Sequence, residues 1–249
     1  QDNAAALGLA FEALDAEIKR FQEQLKITGK LIAVGVDRVD YTKGIAERFH
    51  AIAAFLDKFP EYRGRFVFVQ LGAPSRMHIR RYREHLAELE TLADEINRRL
   101  QTNTWKPIHF LIANHDGPTV HAFMRMASLC IVSSLHDGMN LVAKEYVAAR
   151  ADGDGVLILS EFAGAARELP DALIVNPYDI EQFANAIRYA VEMDRTERQT
   201  RMERMRRAIA ENNVYRWAAN FLSELASTRP KSAQETAEAL VGDSAEVTR

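Results

Sequence analysis

Short apolar runs alternate with amphipathic stretches along most of the chain. The runs are too short for helices and predict strands, and the continuous run at 31–36 predicts a strand that is buried on both faces. They lie at 31–36, 65–71, 107–112, 129–132, 155–160 and 172–175. Stretches with a helical period lie at 4–26, 45–59, 75–101, 117–127, 141–150, 179–191, 196–211 and 214–225. This alternation predicts an α/β protein with a doubly wound, Rossmann-like parallel sheet.

The same pattern predicts three parts: a leading helix at 1–28, a sheet domain at 29–226 and a mobile tail at 227–249 without core positions. Because the chain begins at Gln1 rather than Met, we expect a piece of a longer protein. Ligands of doubly wound sheets bind at the carboxyl ends of the strands. The predicted site therefore consists of the loops at 37–44, 72–76, 135–140 and 160–166.

Composition and charge exclude several classes of function. The 249 residues include 32 Lys and Arg against 35 Asp and Glu, so the chain lacks the overall basic character of proteins that bind nucleic acid or membranes. Its one cysteine, Cys130, excludes a disulfide within the chain and favours a reducing, cytoplasmic location. No apolar run is long enough to span a membrane. The histidines lack metal-ligand spacing, so we expect neither a metal nor another cofactor.

Cationic residues follow two of the predicted strands. Arg38 and Lys43 suit a diphosphate, although two solvated loop charges are the simpler alternative. Asp37 and Asp40 flank Arg38, and we interpret them as acids that hold Arg38 and its loop. Arg76 is predicted to open the helix at 75–101, which Ser75 would cap; its guanidinium suits a phosphate, and a plain surface arginine is the alternative.

Residues 137–140, Asp-Gly-Met-Asn, turn the chain from the strand at 129–132 into the helix at 141–150. Such a turn directs unpaired N–H groups and the positive end of a helix at a ligand, and an ordinary N-cap turn is the alternative. Glu145 follows about two helical turns after Asp137, where it would bind the two hydroxyls of a ribose or remain a solvated carboxylate. Acids beside an anion site predict a nucleotide sugar as the ligand.

Five motifs, in order and spacing from about residue 30 to 226, resemble the trehalose-6-phosphate synthase family of retaining glycosyltransferases. They are 35–44 (GVDRVDYTKG), 74–76 (PSR), 137–148 (DGMNLVAKEYVA), 159–165 (LSEFAGA) and 175–179 (VNPYD). The resemblance implies two Rossmann-like domains around a cleft. This chain would supply the carboxyl-terminal, donor-binding half, and the amino-terminal domain would be its partner.

The resemblance also implies a role for each matching residue. Arg38 and Lys43 would contact the donor diphosphate and, with Asp137, carry catalysis, while Glu145 would bind the ribose. Arg76 would bind the phosphate of the acceptor, glucose 6-phosphate. The glucose would be held by Asp137, Gly138, Met139 and Asn140, and the phosphates also by the N–H groups of Leu141 and Val142. The implied reaction is metal-free glucosyl transfer with retention from a nucleotide-glucose, giving trehalose 6-phosphate; the isolated chain would bind donor weakly and not turn over.

Two residues depart from the pattern usual in that family. His136 replaces an arginine, and Asn114 takes the place of a histidine, with His115 one position later. Both lie near the sugar, which leaves the nucleobase (UDP, GDP or ADP) and the acceptor open. Alternatives are transfer to glycerol 3-phosphate, as in glucosylglycerol-phosphate synthase, and a non-catalytic regulatory module.

A third alternative is a scaffold or partner-binding domain that uses the face normally covered by the other half. The last helix, with Tyr215, Trp217 and Phe221, resembles the family segment that crosses to that half and would expose an apolar patch without it. Association into a homo-oligomer is left open.

Overall fold

The computed structural model describes the backbone of residues 2–212 and 214–227, and side chains from Glu12 onward within those ranges. The chain divides into two units, Gln1–Ile209 and Ala210–Arg249. The first unit contains the described sheet. The division predicted from the sequence stays a prediction, and the predicted tail lies outside the described residues after Ser227.

The sheet has six strands in the described part of the chain, and every paired neighbour is parallel. They are β1 (Leu31–Arg38), β2 (Phe66–Ala73), β3 (Ile108–Ile112), β4 (Leu129–Val132), β5 (Val156–Ser160) and β6 (Leu173–Val175). Their order across the sheet is β3-β2-β1-β4-β5-β6. The predicted doubly wound α/β fold is confirmed. The order reverses between β1 and β4, and such a switch point is where sheets of this type bind ligands.

Helices connect the strands and extend the chain at both ends. They are α1 (Asp2–Gln24), α2 (Ile45–Lys58), α3 (Arg80–Leu100), α4 (Gly117–Met126), α5 (Leu141–Ala149), α6 (Ile180–Glu192), α7 (Arg195–Glu211) and α8 (Val214–Ser227). Local chemistry sets several of their starts: Asp116 caps α4 and Asp179 caps α6, each accepting from an N–H of the first turn. None of the described helices is both long and apolar enough to cross a membrane.

Aromatic packing fixes the centre of the sheet. Phe49 on α2 packs edge-on against Phe68 of β2 and Phe110 of β3, and Phe55 packs against Phe66. Burying a side chain of this size contributes roughly 1.5–3 kcal/mol. Because β1, β2, β4 and β5 are buried on both faces, their carboxyl ends are held firmly. The loops that leave those ends therefore start from fixed positions.

Cys130 lies in the middle of β4 and has no exposed surface. Burial raises the pKa of its thiol to about 12, and the thiolate is the form that reacts. We therefore expect an aromatic disulfide reagent at pH 8 to label the folded chain at least about 100-fold more slowly than the chain in urea. Absorbance of the released thiol measures both rates, and fast stoichiometric labelling of the folded chain would contradict the burial of β4.

We expect His109 in β3 to make the folded chain sensitive to acid. Burial, and then the charge of Lys106, lower its pKa to about 4, whereas an unfolded histidine has a pKa of about 6.5. The stability gained from a neutral His109 is complete above the unfolded pKa and is lost as the pH falls toward the folded pKa. From pH 7 to pH 5 we expect about 2 kcal/mol of unfolding free energy to be lost through this residue.

Urea unfolding at the two pH values measures that loss, and His109→Gln is the matched control because an amide does not titrate. The difference between the two chains isolates His109 from the carboxylates, which also affect stability in acid. Equal pH dependence in both chains would contradict the lowered pKa.

The predicted start of the long helix is wrong. Helix α3 begins at Arg80, its N-cap Ile79 makes no side-chain capping bond, and Ser75 is buried ahead of it. Arg76 has a φ of +49°, which a right-handed helix does not contain. Residues 76–79 instead form a turn, closed by the Ile79 N–H and the Arg76 carbonyl. Arg76 therefore lies in a loop ahead of α3 and does not open that helix.

Candidate active site

Two predicted site loops meet at the switch point of the sheet. Strands β1 and β4 are neighbours, so the segments that follow them, 39–44 and 133–140, leave the sheet side by side. The N–H of Leu135 donates to the carbonyl of Thr42 at 2.8 Å, which joins the two segments through their backbones. The site thus forms from parts of the chain that are far apart in sequence.

Lys43 and Asp137 form an ion pair at this junction. Lys43 Nζ donates to Asp137 Oδ2 at 2.7 Å, and the two side chains are only 16% and 17% exposed. Asn140 Nδ2 donates to the same oxygen at 3.1 Å. Burial by itself raises the pKa of Asp137, but the hydrogen bonds from Lys43 and Asn140 and the charge of Lys43 outweigh it and lower the pKa below its usual value. Asp137 is therefore an ionised acceptor at neutral pH.

The N-terminus of α5 opens beside that pair. Asn140 Oδ1 accepts from the N–H of Ala143 at 3.0 Å, and Asn140 itself adopts a φ of +79°. One donor of the first turn is thereby satisfied, while the N–H groups of Leu141 and Val142 belong to the turn that has no acceptor within a helix. These groups and the positive end of the helix favour an anion. The predicted anion site stays a prediction, now with a defined geometry.

The loop after β5 supports the turn at 137–139 from behind. Gly164 N–H donates to the carbonyl of Asp137 at 2.9 Å, and Ala165 N–H donates to that of Met139 at 2.7 Å. A Cβ at Gly164 would collide with the carbonyl oxygen of Gly138, so glycine permits this close approach. The loop after β5, one of the predicted site loops, therefore holds the neighbouring turn in place.

Arg76 is tied to the loop that carries Lys43. Its Nη1 donates to the hydroxyl of Tyr82 at 2.6 Å, and that hydroxyl donates to Asp40 Oδ2 at 3.3 Å. Asp40 also accepts from the N–H and hydroxyl of Thr42. Burial raises the pKa of Asp40, and these hydrogen bonds outweigh it and lower the pKa. Arg76 and Lys43 are therefore connected through a short chain of polar contacts.

Arg38 and Glu145 lie at the same end of the sheet with exposed side chains. Arg38 ends β1, and Glu145 lies one turn into α5. Lys144 binds Glu168 through both carboxylate oxygens, at 2.8 and 2.9 Å, and not Glu145. Both exposed residues have solvent-facing surface for a ligand, and their roles stay predictions. His136 and Asn114, which depart from the family pattern, are also exposed.

Acidic and histidine side chains do not gather into a metal centre within residues 12–212 and 214–227. No group of three or more His, Cys, Asp or Glu residues in those ranges is placed to hold a metal ion.

Comparison with known protein families shows to which family the chain belongs. The family model described as Glycosyltransferase family 20 matches residues 6–227. The chain belongs to glycosyltransferase family 20. The resemblance drawn from the five sequence motifs is therefore confirmed at the level of the family.

Relatives of this family 20 chain include trehalose-6-phosphate synthases. The enzyme of Enterobacter sp. (strain 638) is 39% identical over 222 residues, covering 89% of this chain and 46% of that protein. The 56 kDa subunit of the UDP-forming alpha,alpha-trehalose-phosphate synthase of Saccharomyces cerevisiae is 36% identical over 230 residues, covering 92% and 46%. The chain spans about half the length of these relatives.

Solved structures share the fold as well as the sequence. Trehalose-6-phosphate synthase from E. coli, bound with UDP-2-fluoro glucose, aligns with a TM-score of 0.81 and 37% identity over 87% of this chain and 48% of that one. The UDP-forming enzyme of Burkholderia xenovorans, in complex with glucose-6-phosphate, aligns with a TM-score of 0.80 and 38% identity over 84% and 46%.

One interpretation of the loop acids needs a correction in this family 20 chain. Asp37 does not bind Arg38: it is buried and accepts from Arg48 Nη1 at 2.7 Å. Arg48 was missed from the sequence, although a signal is present. It falls on the apolar face of α2, in step with Ile45, Phe49 and Ile52, where a charge requires a buried partner.

Proposed function

We propose that this chain forms the donor-binding half of a retaining glucosyltransferase that moves glucose from a nucleotide-glucose to glucose 6-phosphate, giving trehalose 6-phosphate. The observation that carries the proposal is the Lys43–Asp137 pair beside the open N-terminus of α5. A cation and a helix N-terminus suit the diphosphate of such a donor, and an ionised carboxylate next to them suits the hydroxyls of its sugar.

The same geometry supports a mechanism. Negative charge develops on the departing diphosphate as the glucosyl bond breaks. Arg38, Lys43 and the N–H groups of Leu141 and Val142 would stabilise that charge because they are in place before the reaction. In the structure Lys43 is bonded to Asp137. Donor binding would move the lysine to the diphosphate and leave Asp137 free to accept from the glucose hydroxyls.

The remaining assignments concern both substrates. Glu145 would bind the ribose, and Gly138, Met139 and Asn140 would hold the glucose with Asp137. We assign a uridine nucleotide because a related structure contains UDP-2-fluoro glucose and related enzymes are called UDP-forming. Arg76 would bind the acceptor phosphate, since its guanidinium is tied through Tyr82 to the Lys43 loop. The reaction needs neither a metal nor another cofactor in this proposal.

Because the matched relatives are about twice as long as the shared region, the proposal includes a second half that completes the acceptor side. The 249-residue chain by itself would bind donor weakly and would not turn over. A cytoplasmic location, and association into homo-oligomers, remain predictions.

A product assay tests the proposal. The natural polypeptide that carries this sequence is given UDP-, GDP- or ADP-glucose with either glucose 6-phosphate or glycerol 3-phosphate, and products are identified by mass spectrometry. We expect a hexose disaccharide phosphate from UDP-glucose and glucose 6-phosphate. Product only with glycerol 3-phosphate would overturn the acceptor assignment. No product in any arm, together with UDP binding, would favour a regulatory module.

A further inference from the structure

A buried polar cluster lies beneath the loop that carries Lys43. Arg48 is 0% exposed, and its guanidinium donates to Asp37 Oδ2 at 2.7 Å and to Gln70 Oε1 at 2.6 Å through Nη1. Its Nε donates to Ser133 Oγ at 2.9 Å. Gln70 Nε2 also donates to Asp37, at 3.2 Å. A charge in the protein interior is stable only when it is paired and hydrogen-bonded in this way.

The cluster reaches the backbone of the Lys43 loop directly. Ser133 Oγ donates to the carbonyl of Gly44 at 2.7 Å, and Arg48 Nη2 lies 3.4 Å from the carbonyl of Lys43. The side chain of Lys43 then extends to Asp137. The backbone of the lysine is thus held from below by the cluster, while its ammonium faces the candidate site.

Space for the cluster is made within β1. A Cβ at Gly35 would collide with Arg48 Nη1 and with Gln70 Oε1. A glycine in a strand interior weakens the strand, and a close approach of other groups is a usual reason for it. The four polar side chains come from β1, β2, α2 and the segment after β4, so the cluster fixes the relation between the elements on both sides of the switch point.

We propose that Arg48 and Ser133 are positioning residues for this transferase: by holding the carbonyls of Lys43 and Gly44, they set the position of the Lys43 ammonium and with it the affinity for the donor diphosphate. The effect on donor affinity rests on the proposed function, whereas the effect on the position of the Lys43 ammonium does not. The opposing view is that the cluster only stabilises the fold, and the two views differ in what a small deletion in the cluster does to Lys43.

Ser133→Ala is the informative variant, and Tyr146→Phe is its matched control. Each deletes one fully buried hydroxyl that is bonded to backbone carbonyls. The Tyr146 hydroxyl contacts Ala127 and Ser128, which precede β4 and so lie at the opposite end of the sheet. If the two variants lose the same free energy of unfolding but only Ser133→Ala changes the behaviour of Lys43, the effect is one of positioning and not of folding.

Binding of UDP to the 249-residue chain, measured by calorimetry, is the first readout. We expect the dissociation constant to rise about tenfold in Ser133→Ala, because the freed backbone loses a hydrogen bond, and less than about twofold in Tyr146→Phe. In the Lys43→Ala background, Ser133→Ala should change the constant less than about twofold, since its effect passes through the lysine. Equal effects of the two hydroxyl deletions, or additivity of Ser133→Ala with Lys43→Ala, would overturn the inference.

The pKa of the Asp137 carboxyl, followed by NMR without ligand, is the second readout. It depends on the bond from Lys43, so it should rise in Ser133→Ala and stay unchanged in Tyr146→Phe. If wild type does not bind UDP but this pKa shifts as expected, the proposed function fails and the positioning of Lys43 stands. An unchanged Asp137 pKa in Ser133→Ala contradicts the positioning itself.

Discussion

Lys43→Ala is expected to weaken the binding of UDP by about 30-fold, which corresponds to about 2 kcal/mol for a charge-assisted hydrogen bond. The ammonium is nearly buried and lies beside the N-terminus of α5, so the lost interaction is poorly screened by water. The expected loss of UDP affinity is smaller than for a buried cation without a partner, because the donor first has to break the 2.7 Å bond between Lys43 and Asp137. Titration calorimetry on the 249-residue chain measures the effect.

Lys144→Ala is the matched control for that experiment. It removes the same charge from α5, close in sequence to the proposed phosphate-binding turn, but Lys144 is engaged by both oxygens of Glu168. We expect its effect on the dissociation constant to remain below about twofold. Similar weakening in both variants would mean that only overall charge matters. An unchanged constant in Lys43→Ala would remove Lys43 from the donor site.

The strands were predictable because each is a short apolar run, and burial of β1, β2, β4 and β5 on both faces leaves no alternating pattern to misread in those four. The order of the strands was not predictable, since it depends on pairings between distant segments. The prediction placed the loops after β1 and β4 at one end of the sheet. That these two are neighbours, with Lys43 bonded to a residue 94 positions away, appears only in the folded chain.

Errors in the site arose where conformation or burial overrides residue type. Serine is a residue type that commonly caps helices, yet the positive φ of Arg76 interrupts the backbone after Ser75, and the helix begins only at Arg80. Asp37 is adjacent to Arg38 in the sequence, which suggested an ion pair between them. Its side chain instead lies in the interior and pairs with Arg48. The place of Arg48 on the apolar face of α2 was a signal of burial, but a single arginine on such a face normally extends its charged end to water, so the signal did not identify Asp37 as its partner.

Arg48→Met is expected to lower the free energy of unfolding by about 3–5 kcal/mol, measured by urea denaturation at pH 7. The variant keeps much of the side-chain volume but leaves the carboxylate of Asp37 in the interior without its cation. Burial already raises the pKa of Asp37 despite the charge and hydrogen bond of Arg48, so without Arg48 the carboxyl must bind a proton or move. Gln70 would lose a donor to its carbonyl oxygen as well.

Arg150→Met provides the comparison, because Arg150 is also buried but its partner Asp152 keeps 44% of its side chain exposed. Loss of Arg150 leaves that carboxylate in water, so we expect a smaller cost of about 1–2 kcal/mol, mainly from its bonds to backbone carbonyls. Adding Asp37→Leu to Arg48→Met should restore at least about half of the loss, since no unpaired charge then remains. Equal costs for the two arginines, or no recovery in the double variant, would show that the buried charge of Asp37 is not what makes Arg48 necessary.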